Sequence, residues 1–541
     1  MIDVVIIGAG PSGLQLAYYL EKQNINYRIV ERDCVASFFK VYPRDRKLIS
    51  FNKRYSIYKD PEVNLRWDWN SLLTEDYSHP FSEYSNALYP SADELVEYLQ
   101  DFSKKYSIDV EENTEIKCIE KTDFGSFSLK TSQGKSIETR YVVVSTGFTK
   151  EFSPNIHGIE NIKETYGTVS INKDKYIDQR VLIIGKGNSS FEIANQLLDV
   201  TSLIHLASPE SITMAWQSRH PGHIRANYSN ILDAYQLKTL HGALDANILS
   251  VRMVDDKYHV EFQYVHADNE IEIIEYDHVI LCTGFKFDKD IFSADLEQRT
   301  LREGRLPAIT SEWESDSISG LFFNGTLTQS LDFKASSSAF IDGFRYNSRS
   351  LANILKSRLC QSELNHFCIP FDSEELANYI QNRVCNTSSL WTQFGSLADV
   401  LCIDSDEVKI FQDTSINYQI DVLSKFYQFR IVLTFEWGKY NGDVFEIERH
   451  PSNEMATTNI FLHPILRTYF GTEKNSEHHI LEDLFGMYSA ETAVDTRISI
   501  SGRKREKYHY EEHTAPLKKY TDSVVNLIQS TKNTGGLNEN H

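Results

Sequence analysis

The sequence predicts an α/β chain of two parallel-sheet domains followed by an α+β region, and three observations carry that expectation. Residues 4–31 read as strand, glycine turn, helix and strand. Residues 180–206 repeat the plan. Residues 361–530 are needed by neither unit and hold their own helix and strand patterns. A length of 541 residues exceeds a single hydrophobic core, so more than one domain is expected.

The first unit opens on the apolar run at residues 4–7 and turns at Gly8-Ala9-Gly10-Pro11-Ser12-Gly13, which fits the pattern G-x-G-x-x-G. Gly8 permits the tight turn, Gly10 lets a pyrophosphate approach the backbone, and Gly13 lets the helix pack on the sheet. The N-terminus of that helix faces the phosphates. Glu31 ends the second strand, where a carboxylate accepts hydrogen bonds from an adenosine ribose. A lone glycine turn is compatible with a purely structural role. The strand before it, the helix after it and the acid at this spacing favour a dinucleotide, and a Rossmann-like domain.

The stretch FFKVYPRDRKLISFNKRYSIYKDPEVNLRWDWNSLL has no clean period and reads as a long ordered loop wrapping a cofactor. Arg44, Arg46, Lys53 and Arg66 are candidates there for phosphates or an anionic substrate, against solvated surface charge for each. Ser91 is expected to cap a helix with Leu95, Val96, Leu99 and Phe102 on its packed face. Strands are expected at 108–110, 116–119, 127–129 and 141–144, the last ending in Ser145-Thr146-Gly147.

In the second unit Gly185 and Gly187 form the turn, Asn188 and Ser189 follow, and Ser190 stands where the third glycine would be. Serine is small enough for close helix packing. Two such patterns in one chain imply two different dinucleotides. The next strand, 203–206, ends in Ala207-Ser208-Pro209 with no acid at its tip. A carboxylate there would repel a 2'-phosphate, whereas Ser208 with Arg219 suits one, so NADPH is favoured over NADH. The insertion MAWQSRHPGHIRANYSNILDAYQLKTL is expected to face the cleft. Strands at 258–265, 271–276 and 279–281 lead to Thr283-Gly284, an echo of Thr146-Gly147. Another strand ends near Gly325, and residues 335–340 are expected to open a helix running to about Leu355.

Beyond Cys360, strands at 426–436 and 444–448 around Asn441-Gly442 read as a hairpin. His463, His478, His479 and Glu482 match no zinc spacing, so no metal is expected and packing or surface histidines are the alternative. The tail, 531–541, reads as disordered.

Hydrophobic content of 41% is that of a globular protein, and a formal charge of -21 works against nucleic acid and anionic membrane surfaces. No apolar run reaches a membrane span, and Met1 leads directly into the first core strand without a secretory pattern. A cytoplasmic protein is expected. The seven cysteines include no C-x-x-C pair, which argues against a disulfide framework, and buried thiols are the simplest reading.

GAGPSG with Glu31, STGF, GKGNSS and CTGF, in that order, resemble the flavin-dependent monooxygenases that carry FAD and NADPH on one chain. PRDRKLISFNKRY, DPEVNLRWDWNSLL, TMAWQSRHPGHIRANY, LDAYQLKTL and GTLTQSLDFKASSSAFIDGFRYNSRSL are similar to the FAD-dependent oxidoreductases linked to ER-associated degradation, and to bacterial relatives that N-hydroxylate amino acids in biosynthetic pathways. NTSSLWTQFG and FLHPILR extend the likeness into the C-terminal region. Two departures stand out. The pattern F-x-G-x-x-x-H is only partly present, with Tyr166 and Gly167 matching it and Ile171 in the histidine's place, and the ER protein's leader and retention signal are missing, as in a bacterial-type cytoplasmic relative.

The resemblance implies an FAD domain at 1–155 and 300–360, an NADPH domain at 156–299, and a C-terminal α+β region at 361–530. Gly8, Gly10, Pro11, Ser12, Gly13, Glu31, Arg32, Arg46, Asn52, Thr146, Gly147, Asp332 and Ser338 are then candidate FAD contacts. Gly185, Gly187, Asn188, Ser189, Ser190, Ser208, Arg219, Thr283 and Gly284 are candidate NADPH contacts. The helix after residue 340 would turn its dipole to the pyrimidine end of a reduced flavin. The chemistry implied is hydride transfer from NADPH to FAD, capture of O2 at flavin C4a, and oxygen transfer from the hydroperoxide to the amine of an amino acid or other small amine. Asn70 is the candidate for the peroxide and nicotinamide contacts, with loop capping as its alternative. His220 or His223 is a candidate base, and Arg219, Arg225 and Arg345 are candidates to clamp a carboxylate. A thiol or disulfide oxidoreductase, an NAD(P)H oxidase and an FAD-containing binding or sensor protein stay open. A homodimer is one expected assembly.

Overall fold

The computed structural model describes residues 1–439, 442, 446, 453–483, 486, 488 and 508–533. The chain divides into two compact units: Met1–Leu14, Tyr27–Asn52 and Phe81–Ala308 in the first, and Gln15–Asn26, Lys53–Pro80 and Ile309–His541 in the second.

The first unit holds two sheets. One runs in the order Val110–Glu111, Tyr27–Val30, Ile2–Ile7, Ser136–Val144, Phe127–Thr131, Ile116–Lys121. Its first four strands are parallel and its last two antiparallel. Val4, Val5 and Ile6 pair with 141–143 and are wholly buried, as an unbroken apolar run between covered faces requires. The helix Ala92–Lys105 starts as expected: Ser91 accepts from the Glu94 N–H, and the Glu94 carboxylate takes the Ser91 N–H in return.

The second sheet runs Ile271–Tyr276, Lys257–Tyr264, Gly242–Val254, Leu203–Ser208, Arg180–Ile184, His278–Leu281, Glu164–Thr165. Parallel pairing surrounds Arg180–Ile184, and a three-stranded antiparallel flap extends one side. The helix Asn188–Leu197 follows the second glycine turn, and Phe191, Ile193, Ala194 and Leu197 join the core against Val181, Ile183 and Ile204. The short antiparallel pair Lys150–Glu151 and Phe285–Lys286 lies where the chain passes between the two sheets.

In the second unit an antiparallel sheet runs Phe367–Pro370, Glu407–Ser415, Leu397–Asp404, Phe429–Trp437, Leu462–Phe470, Glu473–His479. Helices Ile341–Cys360, Ser373–Asn386 and Tyr508–Asn533 belong to the same unit. Phe429–Trp437 pairs with Leu397–Asp404 on one side and with Leu462–Phe470 on the other. The expected hairpin at Asn441-Gly442 and strand at 444–448 fall outside the described residues, apart from Gly442 and Glu446.

Several expectations are corrected. The helix expected from residue 335 begins at Ile341, because residues 333–339 fold as two 3-10 turns around Lys334, whose φ is 54°. The helix Tyr508–Asn533 covers the first residues of the expected tail, and residues 534–541 lie outside the described residues. All seven cysteines are free, but only Cys282, Cys385 and Cys402 are buried, while Cys360 and Cys368 are exposed. Among the described residues no group of three or more His, Cys, Asp or Glu side chains is arranged to hold a metal ion. His463 Nε2 instead sits 2.8 Å from His479 Nδ1, and His479 Nε2 sits 2.9 Å from Glu477.

Two arginines offered for anion binding are structural. Arg66 is 2% exposed and donates to the carbonyls of Val384, Cys385 and Thr387 at 3.0, 2.7 and 2.8 Å, satisfying the open end of the helix Ser373–Asn386. Arg345 is fully buried and donates to the carbonyls of Ser71 at 2.8 Å and Leu65 at 2.7 Å. Leu65 and Ser71 belong to the aperiodic stretch, so a helix side chain fixes that loop where no backbone ladder can.

Candidate functional site

In the first unit the glycine turn departs from Ile2–Ile7 with Gly8 at φ 108°. A Cβ on Gly8 would lie 2.7 Å from the Ser145 carbonyl oxygen, and one on Gly13 would lie 2.0 Å from the Gly8 carbonyl oxygen. Nothing lies within 4 Å of a Cβ built on Gly10. The outer two glycines are thus required by the chain itself, and the middle one leaves an open approach to the backbone at the start of the helix Pro11–Lys22. Ser12 is buried in that first helical turn. Glu31, 7% exposed, takes the Ala9 N–H at 2.9 Å on one carboxylate oxygen and Asp33 N–H and Ser37 Oγ, each at 3.1 Å, on the other. It ties the tip of the second strand to the turn.

Thr146 and Gly147 follow Ser145, whose N–H bonds Ile7 at 2.8 Å, and Gly147 has φ 65°. Arg32 is exposed. Arg46 donates to the Phe39 carbonyl at 2.6 Å and to Asp93 at 2.7 Å, and Arg44 donates to the Val169 carbonyl at 2.6 Å. Asn52 spends its amide N–H bonds on the carbonyls of Ser85 and Ala87, at 2.7 and 3.1 Å.

The second turn repeats the first. Gly185 has φ 122°, and a Cβ there would meet the Cys282 carbonyl oxygen at 2.3 Å, while Gly187 is open within 4 Å. Ser190 occupies the third position without penalty, its hydroxyl directed to the Cys282 carbonyl at 3.4 Å. Asn188 clamps the following insertion, donating to Gly222 and His223 carbonyls at 2.8 and 2.9 Å and accepting the Arg225 N–H at 3.1 Å. Beside this turn lies a cavity of about 400 Å³ lined by Ser189, Thr283, Gly284, Phe152, Tyr166 and Phe285 among others. Arg305 stacks on Phe152 with 3.9 Å between guanidinium and ring and donates to the Thr283 carbonyl at 3.4 Å.

His220 and His223 stack with 4.3 Å between ring centroids, and His223 Nδ1 lies 2.8 Å from Ser218 Oγ. Arg225 is buried with its guanidinium 5.4 Å from the Phe51 ring. Arg219 ends the short helix Ala215–Ser218 at φ 55°. Ser208 Oγ donates to the Glu210 carbonyl at 3.4 Å. Sheet register also supplies what reading along the chain missed: Asp245 stands opposite Ser208 on the neighbouring strand. Burial would raise its carboxyl, but Lys186 of the glycine turn and Ser211 outweigh that and hold it below the ordinary range.

In the second unit Asn70 is 1% exposed in a turn whose N–H groups, at Asn70 and Ser71, bond Asp68 at 3.0 and 2.9 Å. Asp332 accepts the Ser338 N–H at 2.5 Å and its hydroxyl at 2.8 Å. Burial pushes the Asp332 carboxyl up to about 7 against the pull of those bonds. Asn347 and Gln393 donate to Ser338 Oγ at 2.8 and 2.9 Å. Neither was singled out from the chain alone, although Gln393 falls inside NTSSLWTQFG. Thr326 Oγ1, Ser330 Oγ and Asp342 Oδ1, from residues 326–342, are buried with no hydrogen-bond partner among the described residues. Such groups call for a polar ligand or ordered water. In the first unit, the two open middle glycines leave room for two pyrophosphates.

Residues 5–325 match the family model described as pyridine nucleotide-disulphide oxidoreductase. The chain is 32% identical to the FAD-dependent oxidoreductase domain-containing protein 2 of Mus musculus over 90% of this chain and 81% of that one. Its Danio rerio counterpart is 31% identical over 89% and 80%. Among solved structures, bacillithiol disulfide reductase from Staphylococcus aureus matches with a TM-score of 0.50 and 19% identity, covering 67% of this chain and 99% of its own. The ornithine N-hydroxylase from Kutzneria sp. 744 matches with a TM-score of 0.50 and 18% identity, covering 66% and 100%. These two likenesses establish the fold. With its paired glycine turns, the chain belongs to the pyridine nucleotide-disulphide oxidoreductase family, as a flavoprotein whose cofactors are FAD and NAD(P)H.

Proposed function

We propose that this flavoprotein is an NADPH- and O2-dependent monooxygenase that N-hydroxylates the amine of an amino acid or another small amine, as a step in a biosynthetic pathway. The observation that carries the reading is the pair of glycine turns, each with its middle glycine open, of which only the first has an acid at the tip of its own second strand. The overall balance is amine + O2 + NADPH + H+ giving hydroxylamine + water + NADP+. Bound FAD supplies the redox chemistry, accepting hydride from the nicotinamide and using O2 to oxygenate the substrate nitrogen.

The rest falls to the chain. In this reading residues 1–155 and 300–360 carry FAD and residues 156–299 carry NADPH, with 361–530 as an added α+β region. The Gly8 to Gly13 turn takes the FAD pyrophosphate, Glu31 orders the turn around it, and Asp332 and Ser338 support the flavin side. The Gly185 to Ser190 turn, Thr283 and Gly284 take the nicotinamide nucleotide. Ser208 and Arg219 favour the 2'-phosphate, and the pairing of Asp245 with Lys186 reduces the repulsion Asp245 would otherwise exert. Asn70 supplies an amide toward the reacting oxygen. Arg225 is the candidate for the substrate carboxylate and His220 for the base that keeps the amine unprotonated, because only a free lone pair attacks oxygen. Seven free thiols suit a reducing compartment, consistent with the cytoplasm.

A thiol oxidoreductase is the second reading, favoured by the 2.7 Å contact of Lys40 Nζ with Cys34 Sγ. Anaerobic mixing of the holoprotein with NADPH, then with O2 and a panel of amino acids, separates the readings. The monooxygenase bleaches the flavin within the turnover time and yields a hydroxylated amine. A Cys34→Ser variant that loses all turnover would instead support thiol chemistry. Flavin that NADPH reduces only over hours would mark a sensor.

A further inference from the structure

We propose that the second unit holds a binding pocket for a small zwitterion of the α-amino-acid class, with the ligand's carboxylate on Arg349 and Arg383 and its ammonium on the acceptors around Glu62. The pocket is separate from the flavin-side candidates of that unit: Asn70, Asp332 and Ser338 do not line it.

A cavity of about 510 Å³ is lined from the helix Ile341–Cys360, the helix Ser373–Asn386 and the strands Glu407–Ser415 and Phe367–Pro370, with Glu62 of the short helix Pro61–Asn64 added. Neighbouring residues on a strand ordinarily face opposite ways. Gln412 and Asp413 nevertheless both line the cavity, because the strand bulges here and Asp413 has φ 55°.

Asp413 stands between the two arginines. Its Oδ2 accepts from Arg349 Nη2 at 2.5 Å and its Oδ1 from Arg383 Nη2 at 2.7 Å. Arg383 also holds Asp399, donating from Nε at 2.6 Å. Burial alone would raise the Asp413 and Glu62 carboxyls. Arg383, Arg349 and Ser389 outweigh it at Asp413, and Arg349, Ser388 and Tyr77 outweigh it at Glu62, so both stay below the ordinary range. Glu62, Asp399 and Asp413 thus set three carboxylates against two guanidiniums, and the cluster carries an excess of one negative charge.

The guanidiniums still have donors to spare. Arg383 uses Nε and Nη2 on Asp399, Asp413 and Ser389, so its Nη1 has no hydrogen bond among the described residues. Arg349 bonds Asp413 and Tyr19, which leaves others of its five N–H groups, and its side chain is 27% exposed where it lines the cavity. Asn353 accepts from Gln23 Nε2 at 2.8 Å on its amide oxygen, so its own N–H groups remain as donors. On the accepting side, Gln412 donates to the Tyr379 hydroxyl at 3.1 Å and keeps its amide oxygen. His366 donates from Nδ1 to the Leu364 carbonyl at 3.0 Å and keeps Nε2 as an acceptor. An anion alone would add to the negative excess, and a cation alone would leave the guanidinium edges bare. A ligand with both charges answers both. Phe367 and Ile410 add an apolar wall for its side chain.

The test titrates the FAD-loaded protein, without NADPH, with glycine, L-alanine, L-leucine and L-phenylalanine by calorimetry, in wild type, Arg349→Lys, Gln412→Lys and Arg225→Ala. Arg349→Lys keeps the charge and loses the planar fork. Gln412→Lys puts an ammonium of its own into the cavity and breaks no ion pair. At least one of the amino acids should bind wild type and Arg225→Ala alike, and bind both lysine variants roughly tenfold more weakly or worse. The amine lacking its carboxylate and the acid lacking its ammonium should each bind wild type roughly tenfold more weakly than the amino acid itself. Thermal melts establish which variants fold, and Gln412→Lys decides alone if Arg349→Lys does not. Binding of none of the four overturns the proposal, as does binding that the folded lysine variants keep. Binding that Arg225→Ala removes and Gln412→Lys keeps belongs to the substrate site of the proposed reaction, and it too overturns the pocket.

Discussion

Glu31 accepts the Ala9 N–H at 2.9 Å, so the acid at the tip of one strand closes the glycine turn of another. The bond is charge-assisted and buried, and removing it leaves the Ala9 N–H without its partner. Glu31→Ala should cost about 1–3 kcal/mol of stability and leave the purified protein with little bound flavin. The ratio of flavin to protein absorbance, with a urea titration, measures both. Full flavin occupancy would show that the turn holds without the acid.

The glycines of that turn are predicted to differ. Gly13→Ala places a Cβ 2.0 Å from the Gly8 carbonyl oxygen and should prevent folding of the unit. Gly10→Ala meets nothing within 4 Å and has no positive φ to relieve. It should keep the wild-type melting temperature of the apoprotein while losing most FAD affinity, because the added methyl occupies the approach to the backbone. Calorimetry of the apoproteins and flavin titration distinguish the two variants. Equal FAD affinity for wild type and Gly10→Ala would count against a pyrophosphate at this turn.

Asp332 carries a prediction in pH. Its buried carboxyl is raised to about 7, so the folded state holds a proton that the unfolded state releases near its ordinary value of about 4. The contribution is therefore fully present below about pH 4 and is lost as pH rises through about 7, with a slope of at most about 1.4 kcal/mol per pH unit. Asp332→Asn should be less stable than wild type at pH 5, because an amide accepts fewer of the Ser338 bonds, and the gap should close by pH 8. Parallel stability profiles for the two proteins would show that Asp332 does not titrate in this window.

How much of this was legible in the chain depends on the range of the interactions. The two glycine turns, the Ser91 cap and the buried strands are local, written in spacings of a few residues, and they stand where the sequence reading puts them. The roles of arginines were not legible. Arg66 and Arg345 look like anion ligands in a loop-rich sequence, yet they satisfy backbone carbonyls on segments far away along the chain. Asp245 was missed for a similar reason, since only strand register brings it opposite Ser208. Asn347 and Gln393 converge on Ser338 from separate elements, a meeting that no periodicity encodes. The helix start at Ile341 moved because residues 333–339 fold into tight turns in which Asp332 binds Ser338.

Oxygen transfer to nitrogen at the expense of NADPH is the reaction on which the proposed function stands. Turnover of the holoprotein under 18O2 with NADPH and a panel of amino acids, followed by mass spectrometry of the products and a count of NADPH consumed, tests it most directly. One 18O atom should appear on the nitrogen of a product for each NADPH oxidised in the first hydroxylation, with the second oxygen atom in water. NADPH consumption that ends only in hydrogen peroxide across the whole panel would contradict it.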